Sequence, residues 1–143
     1  MATYPTSAFA VKAALFAEVQ AALPDVEVSY AAPRTAPERE TVMFGRLTWT
    51  KDDWGPFGQR ARDEEYTIAV FINVIRPGDG AQESAERTRD LLAVIEDLLR
   101  AAPFPIPARS ITYAAEKTWA DTWPTDEGYE SQINAVVAVT ARI

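Results

Sequence analysis

A chain of 143 residues, 48% of them hydrophobic, is long enough to bury a core without covalent staples. It contains neither cysteine nor histidine. That excludes disulfides, thiolate chemistry, Cys-based zinc sites and any Ser-His-Asp mechanism, and it removes the commonest general base. The net charge of −7 does not suit a gripper of phosphates, so nucleic-acid binding is not expected as the main task. Met1-Ala2-Thr3-Tyr4-Pro5 shows no basic region ahead of an apolar run, so no signal peptide is expected. No apolar run approaches the roughly 20 residues that span a bilayer, so no membrane partner is expected.

In chain order, Ser7 to Leu23 predicts a helix. Ser7 is placed to cap it, and Pro24-Asp25 ends it. Phe9, Leu15, Phe16, Val19 and Leu23 give an apolar stripe, and the many alanines, Ala10, Ala13, Ala14, Ala17, Ala21 and Ala22 among them, favour helix and permit close packing. Val26 to Tyr30 alternates as a short strand. Ala31 to Glu40, with Pro33, Pro37 and several charges, predicts an exposed loop. Thr41 to Thr50 predicts a second strand, with Gly45 marking a bulge. Strict alternation puts Val42, Phe44, Arg46, Thr48 and Thr50 on one side and Met43, Leu47 and Trp49 on the other. Lys51 to Asp63 predicts a long charged connection.

Tyr66 to Ile75 is the strongest strand signal. Tyr66, Ile68, Val70, Ile72 and Val74 share one face, and the other is also largely apolar, which predicts a mid-sheet position. Pro77-Gly78-Asp79-Gly80 stops it. An amphipathic helix follows, with Leu91, Leu92, Ile95, Leu98, Leu99 and Ala102 on one face. Asp79 and Gln82 have the spacing of a capping box, and Pro103 ends the helix. Pro103 to Pro107 predicts an extended linker. Ser110 to Trp119 and Tyr129 to Ile143 predict the last two strands, joined by a polar connection from Ala120 to Gly128.

The order α-β-β-β-α-β-β predicts an α+β fold over residues 1–143, a single domain. Two helices should pack on a sheet of about five strands, mainly antiparallel or mixed. Strands joined by loops should pair as antiparallel hairpins. If the third and fourth strands run parallel in one sheet, their crossover should be right-handed.

Few residues carry chemistry. Gly78-Asp79-Gly80 lacks the third glycine or lysine of a phosphate loop, and turn plus cap explains it. The carboxylate pairs Asp52-Asp53 and Glu64-Glu65 read as solvated loop charge, since neighbours on a strand point to opposite faces. The tryptophans are more informative. Trp49 and Trp54, then Trp119 and Trp123, fall where strands run out into charged connections. Such side chains either fold back on the core or anchor a protein interface, and a base- or sugar-stacking role is a third reading. Arg34 and Arg39 share one expected loop, Arg60 and Arg62 another. Their planar forks suit pairing with carboxylates on a partner protein. The candidate interface residues are therefore Arg34, Arg39, Trp54, Arg60, Arg62, Trp119 and Trp123, with no catalytic, metal or cofactor residue among them.

The layout resembles the tail terminator proteins of long-tailed bacteriophages, the group typified by the minor tail protein U of lambdoid phages. The resemblance rests on the N-terminal helix Ser7–Leu23, the meander with long loops, and Glu65-Tyr66-Thr67-Ile68-Ala69-Val70-Phe71-Ile72 leading to Glu86-Arg87 and Leu98-Leu99. The final strand from Gly128-Tyr129 to Arg142-Ile143 completes it. The resemblance implies a non-enzymatic virion protein without cofactors. It implies a ring, expected to be a hexamer, that caps the tail tube and offers the surface for head attachment. The implied partners are other copies of the chain, the tail tube protein and a head–tail connector protein, with DNA passing through the lumen without specific binding. The implied location is the virion tail or neck, and the host cytoplasm during assembly. The alternatives are a head–tail joining or neck ring, and a small-ligand-binding or enzymatic α+β domain with a Trp-rich pocket.

Overall fold

The computed structural model describes residues 6–31, 39–54, 62–78, 80–101 and 110–142. The observed order is α1 (Ala8–Ala22), β1 (Glu27–Ser29), β2 (Glu40–Trp54), β3 (Arg62–Arg76), α2 (Ala81–Ala101), β4 (Ser110–Thr125) and β5 (Gly128–Arg142). This is the expected α+β order, with two helices on a five-stranded mixed sheet. The strand order is β1-β2-β3-β5-β4. β3 lies in the middle, as its two apolar faces require.

One face of the sheet meets both helices. Val42 and Phe44 of β2, Tyr66 to Val74 of β3 and Ile133 to Val139 of β5 present alternate side chains to Val11, Leu15 and Val19 of α1. They also meet Leu91, Leu92, Ile95 and Leu99 of α2. Leu98 is only partly buried at the rim of that core. Small polar groups fix the helix positions. The Ser84 hydroxyl donates to the carbonyls of Val74 and Tyr129, at 3.0 and 3.2 Å, tying the start of α2 to β3 and β5. Arg87 grips Glu40 through both carboxylate oxygens, at 2.6 and 3.0 Å, tying α2 to the start of β2.

Several expectations need correcting. β1 pairs with β2 in parallel, Glu27 to Ser29 against Thr41 to Met43, and is not a hairpin partner. A three-residue strand is only about 10 Å long, so the short segment 30–39 suffices to return the chain to its start. β2 runs on to Trp54 and β3 begins at Arg62, so a long antiparallel hairpin takes up much of the expected Lys51–Asp63 loop. β4 likewise runs on to Thr125 and turns into β5 through Asp126 and Glu127 alone. The region Ala120–Gly128 is therefore strand and tight turn. β3 and β4 run parallel in the same sheet but are not neighbours, since β5 lies antiparallel between them.

Gly45 does mark a bulge: the register shifts between Phe44 and Leu47. The consequence reverses the expected faces. Phe44 opposes Val70 and Leu47 opposes Ile68, so Leu47 and Trp49 rejoin the face of Val42 and Phe44. Ser7 does not cap α1 with its side chain, because its hydroxyl is engaged elsewhere. The expected cap residue Asp79 and the linker 103–107 lie outside the described residues.

Candidate assembly surface

The buried carboxylate of Glu64 organises one end of the sheet. It lies on the core face of β3, one alternation beyond Tyr66, and is fully buried. The reading of Glu64 as solvated loop charge is thus overturned. The Ser7 backbone N–H and hydroxyl both donate to its Oε1 at 2.6 Å. The Thr6 hydroxyl donates to Oε2 at 2.7 Å, and the Trp49 indole N–H reaches the same oxygen at 3.2 Å. Burial alone would raise the Glu64 pKa, but these donors outweigh it and hold it below the usual carboxylate range. The charge also sits at the N-terminal, positive end of α1. With the Ser7 proton given to Glu64, the Tyr66 phenol donates to the Ser7 oxygen at 2.9 Å. Burial, reinforced by the Glu64 charge, pushes the Tyr66 pKa well above its ordinary value.

This network fixes an aromatic pair at the surface. Phe9 of α1 lies 6.3 Å from Trp49, and Trp49 lies 6.2 Å from Tyr66. Phe9 and Trp49 remain 59% and 38% exposed, although Tyr66 beneath them is buried. The Trp49 ring is therefore part of a strand and held by hydrogen bond and stacking. Beside it, Lys12 is nearly buried. Its ammonium donates to the Gly45 carbonyl at 2.9 Å and lies 4.0 Å from the centre of the Tyr30 ring. Burial lowers its pKa.

The second face of the sheet is covered by no described helix or strand. The register aligns Met43, Phe71, Asn134 and Trp119 in one row across it. Ala69, Val136 and Glu116 form the next row, and Ile75, Glu130 and Trp123 another. Trp119 is 44% exposed and Trp123 half-buried. Both stand on the open side of β4 with Asp121 between them. They were expected in or beside a loop. The structure instead places them on an edge strand, because the Trp-rich stretch keeps pairing with β5.

The remaining expected interface residues are scattered. Trp54 opposes Arg62 at the far end of the β2–β3 hairpin. Arg34 and Arg60 lie outside the described residues. Arg39 lines an open cleft of about 560 Å³ with Asp25, Glu27, Glu40, Arg76 and Arg87. There Glu40 holds Arg87, and Arg76 lies 3.5 Å from it. The Arg87 hydrogen bond lowers the Glu40 pKa despite partial burial. Among the described residues, no group of three or more Asp or Glu side chains could hold a metal ion. No described helix is long and apolar enough to cross a membrane. Glu64 was missed by sequence reasoning although the signal existed: extending the Tyr66–Val74 alternation back by two puts Glu64 on the core face.

Neither a protein-family model nor a curated protein matches the chain. A solved virion chain has this fold. It comes from the virion of a native gene transfer agent particle, with a TM-score of 0.66 and 16% sequence identity. The likeness covers 98% of this chain and 100% of that one. At that identity it is a likeness of fold.

Proposed function

We infer that the chain is a structural virion protein whose work is assembly. In this reading it forms a ring, a hexamer, that caps the end of a phage tail tube. The ring ends tube growth and offers the surface on which the head docks. The observation that carries the reading is the end-to-end fold likeness to a virion chain. The uncovered sheet face, with Phe71 and Trp119 in one row, supports it, because exposed aromatic surface of this kind marks protein interfaces. DNA passes through the lumen, repelled by the acidic subunits.

The test is assembly itself. The purified chain, alone and mixed with tail tubes grown in its absence, is followed by light scattering and negative-stain electron microscopy. Rings at tube ends and an arrest of tube growth are expected. Binding to isolated head connectors, with none to tubes, would favour the neck-ring reading instead. A chain that stays monomeric in every mixture would overturn both.

A further inference from the structure

Among the described residues the sheet has two open edges, and they are complementary. On one side β1 covers only Thr41 to Met43 of β2. Among the described residues no strand pairs with the outer edge of β2 from Phe44 to Trp54. On the other side, among the described residues β4 pairs only with β5, which leaves the outer edge of a 16-residue strand open there. Unpaired edges of this length are templates for another strand. β2 is antiparallel to β3, β3 to β5, and β5 to β4. It follows that β2 and β4 are antiparallel to each other. Copies set side by side in one orientation therefore present β4 to β2 in the antiparallel sense.

The charges agree. Lys51, exposed, stands on the open side of β2 opposite Glu65, and Arg46, also exposed, lies in the bulge between Phe44 and Leu47. Glu116 and Asp121, both exposed, stand on the same side of β4, opposite Val136 and Gln132 of β5. The two basic residues are five positions apart, and so are the two acidic ones. One antiparallel register sets Arg46 against Asp121 and Lys51 against Glu116 together. The same register puts Thr48 opposite Trp119 on the open side, and Leu47 opposite Ala120 on the core side. β2 shifts register between Trp49 and Lys51 and again between Phe44 and Leu47, and β4 shifts once, between Lys117 and Trp119. The extra residues, Thr50 and Thr118, fall next to each other in this register, so facing sides stay in step from Lys51 to Leu47, while the further shift in β2 between Phe44 and Leu47 has no counterpart in β4.

We propose, building on the ring reading above, that neighbouring copies join edge to edge. β4 of one subunit adds to the outer edge of β2 in the next, in the register Lys51–Glu116 and Arg46–Asp121. The contact is head-to-tail: each copy uses two different edges, and such a contact generates a ring where the rotation closes. Main-chain hydrogen bonds supply the attachment and the paired charges fix the register.

The absence of native cysteine makes a direct test available. Thr48→Cys and Trp119→Cys in the same chain should cross-link neighbours under mild oxidation, giving a ladder of covalent oligomers on a non-reducing gel. Each single variant should give none. Independently, Lys51→Glu should lower ring yield by about tenfold or more, since like charges then face each other. Adding Glu116→Lys should restore it. Thermal melts confirm that the variants, all altered at exposed positions, remain folded. Cross-linking by Trp119→Cys alone would show β4 pairing with β4, and would overturn the proposal. Rings that form normally, with no ladder and no charge-swap rescue, would overturn it too and leave the virion reading standing. A wild-type chain that never assembles, alone or with tubes, would overturn both.

Discussion

Glu64 is a buried charge whose surroundings are all donors. Ser7, Thr6 and Trp49 supply them from the helix start and from β2, so one carboxylate ties three parts of the chain. Replacing it with glutamine keeps the size but removes the charge and turns an amide N–H₂ toward other donors. Glu64→Gln is expected to cost roughly 2–3 kcal/mol, read as a lower urea midpoint at pH 7. The pH dependence follows from the direction of the shift. The folded pKa lies below the unfolded one, so the stabilisation is complete above the unfolded value of about 4.3 and is lost as pH falls through the folded value. Glu40 shifts the same way, so wild type loses both contributions in acid, while Glu64→Gln keeps only that of Glu40. Equal acid sensitivity of wild type and variant would remove Glu64 from this role. The residue was hard to see in the sequence because charge normally signals solvent. Its partners Ser7, Thr6 and Trp49 lie 57, 58 and 15 positions away, where no local pattern reaches.

At the scale of elements, the hydrophobic alternation located every strand and both helices but not where the strands end. Past Thr50 and past Trp119 the residues are mostly polar, yet the ladders continue, since hairpin arms beyond the core need hydrogen-bond partners and no apolar face. The direction of β1 was equally illegible: alternation says which side faces the core, not which neighbour lies alongside or which way it runs. Turn chemistry was more readable, and Gly128 shows why. It opens β5 at φ +137°, and a Cβ there would lie 2.0 Å from the Arg76 carbonyl oxygen. Gly78, at φ +76°, has open space around it. Gly128→Ala should therefore destabilise by roughly 2–4 kcal/mol, from strain plus a backbone clash. Gly78→Ala should cost only about 1 kcal/mol, from its dihedral alone. Thermal midpoints of the two variants check this ranking, and a Gly128→Ala protein as stable as Gly78→Ala would show that β5 does not start against Arg76.

For the molecule as a whole, charge decides how it meets nucleic acid, and with it what the lumen of the proposed ring could do. Twenty-one acidic residues face fourteen basic ones, and many of the described basic side chains are already committed. Arg87 and Arg76 meet Glu40, Arg89 meets Asp90, and Arg100 meets Asp97 and Glu96. Lys117 lies near Glu96, Arg142 near Asp63, and Lys12 is buried. Gripping a duplex needs several cations that each neutralise a phosphate and release counterions. Paired arginines would first have to leave their carboxylates, and the net charge of −7 would repel the approaching strand. In the proposed ring, such subunits would let DNA slide through without holding it. Fluorescence anisotropy with a labelled duplex at about 50 mM salt, where electrostatic attraction is strong, should therefore show no saturable binding in the micromolar range. Arg39 is the informative variant, because it is exposed in the cleft beside Glu40 and Arg76. Micromolar duplex binding by the wild type, abolished by Arg39→Glu and fading steeply with salt, would make this chain a DNA-binding module and end the assembly reading.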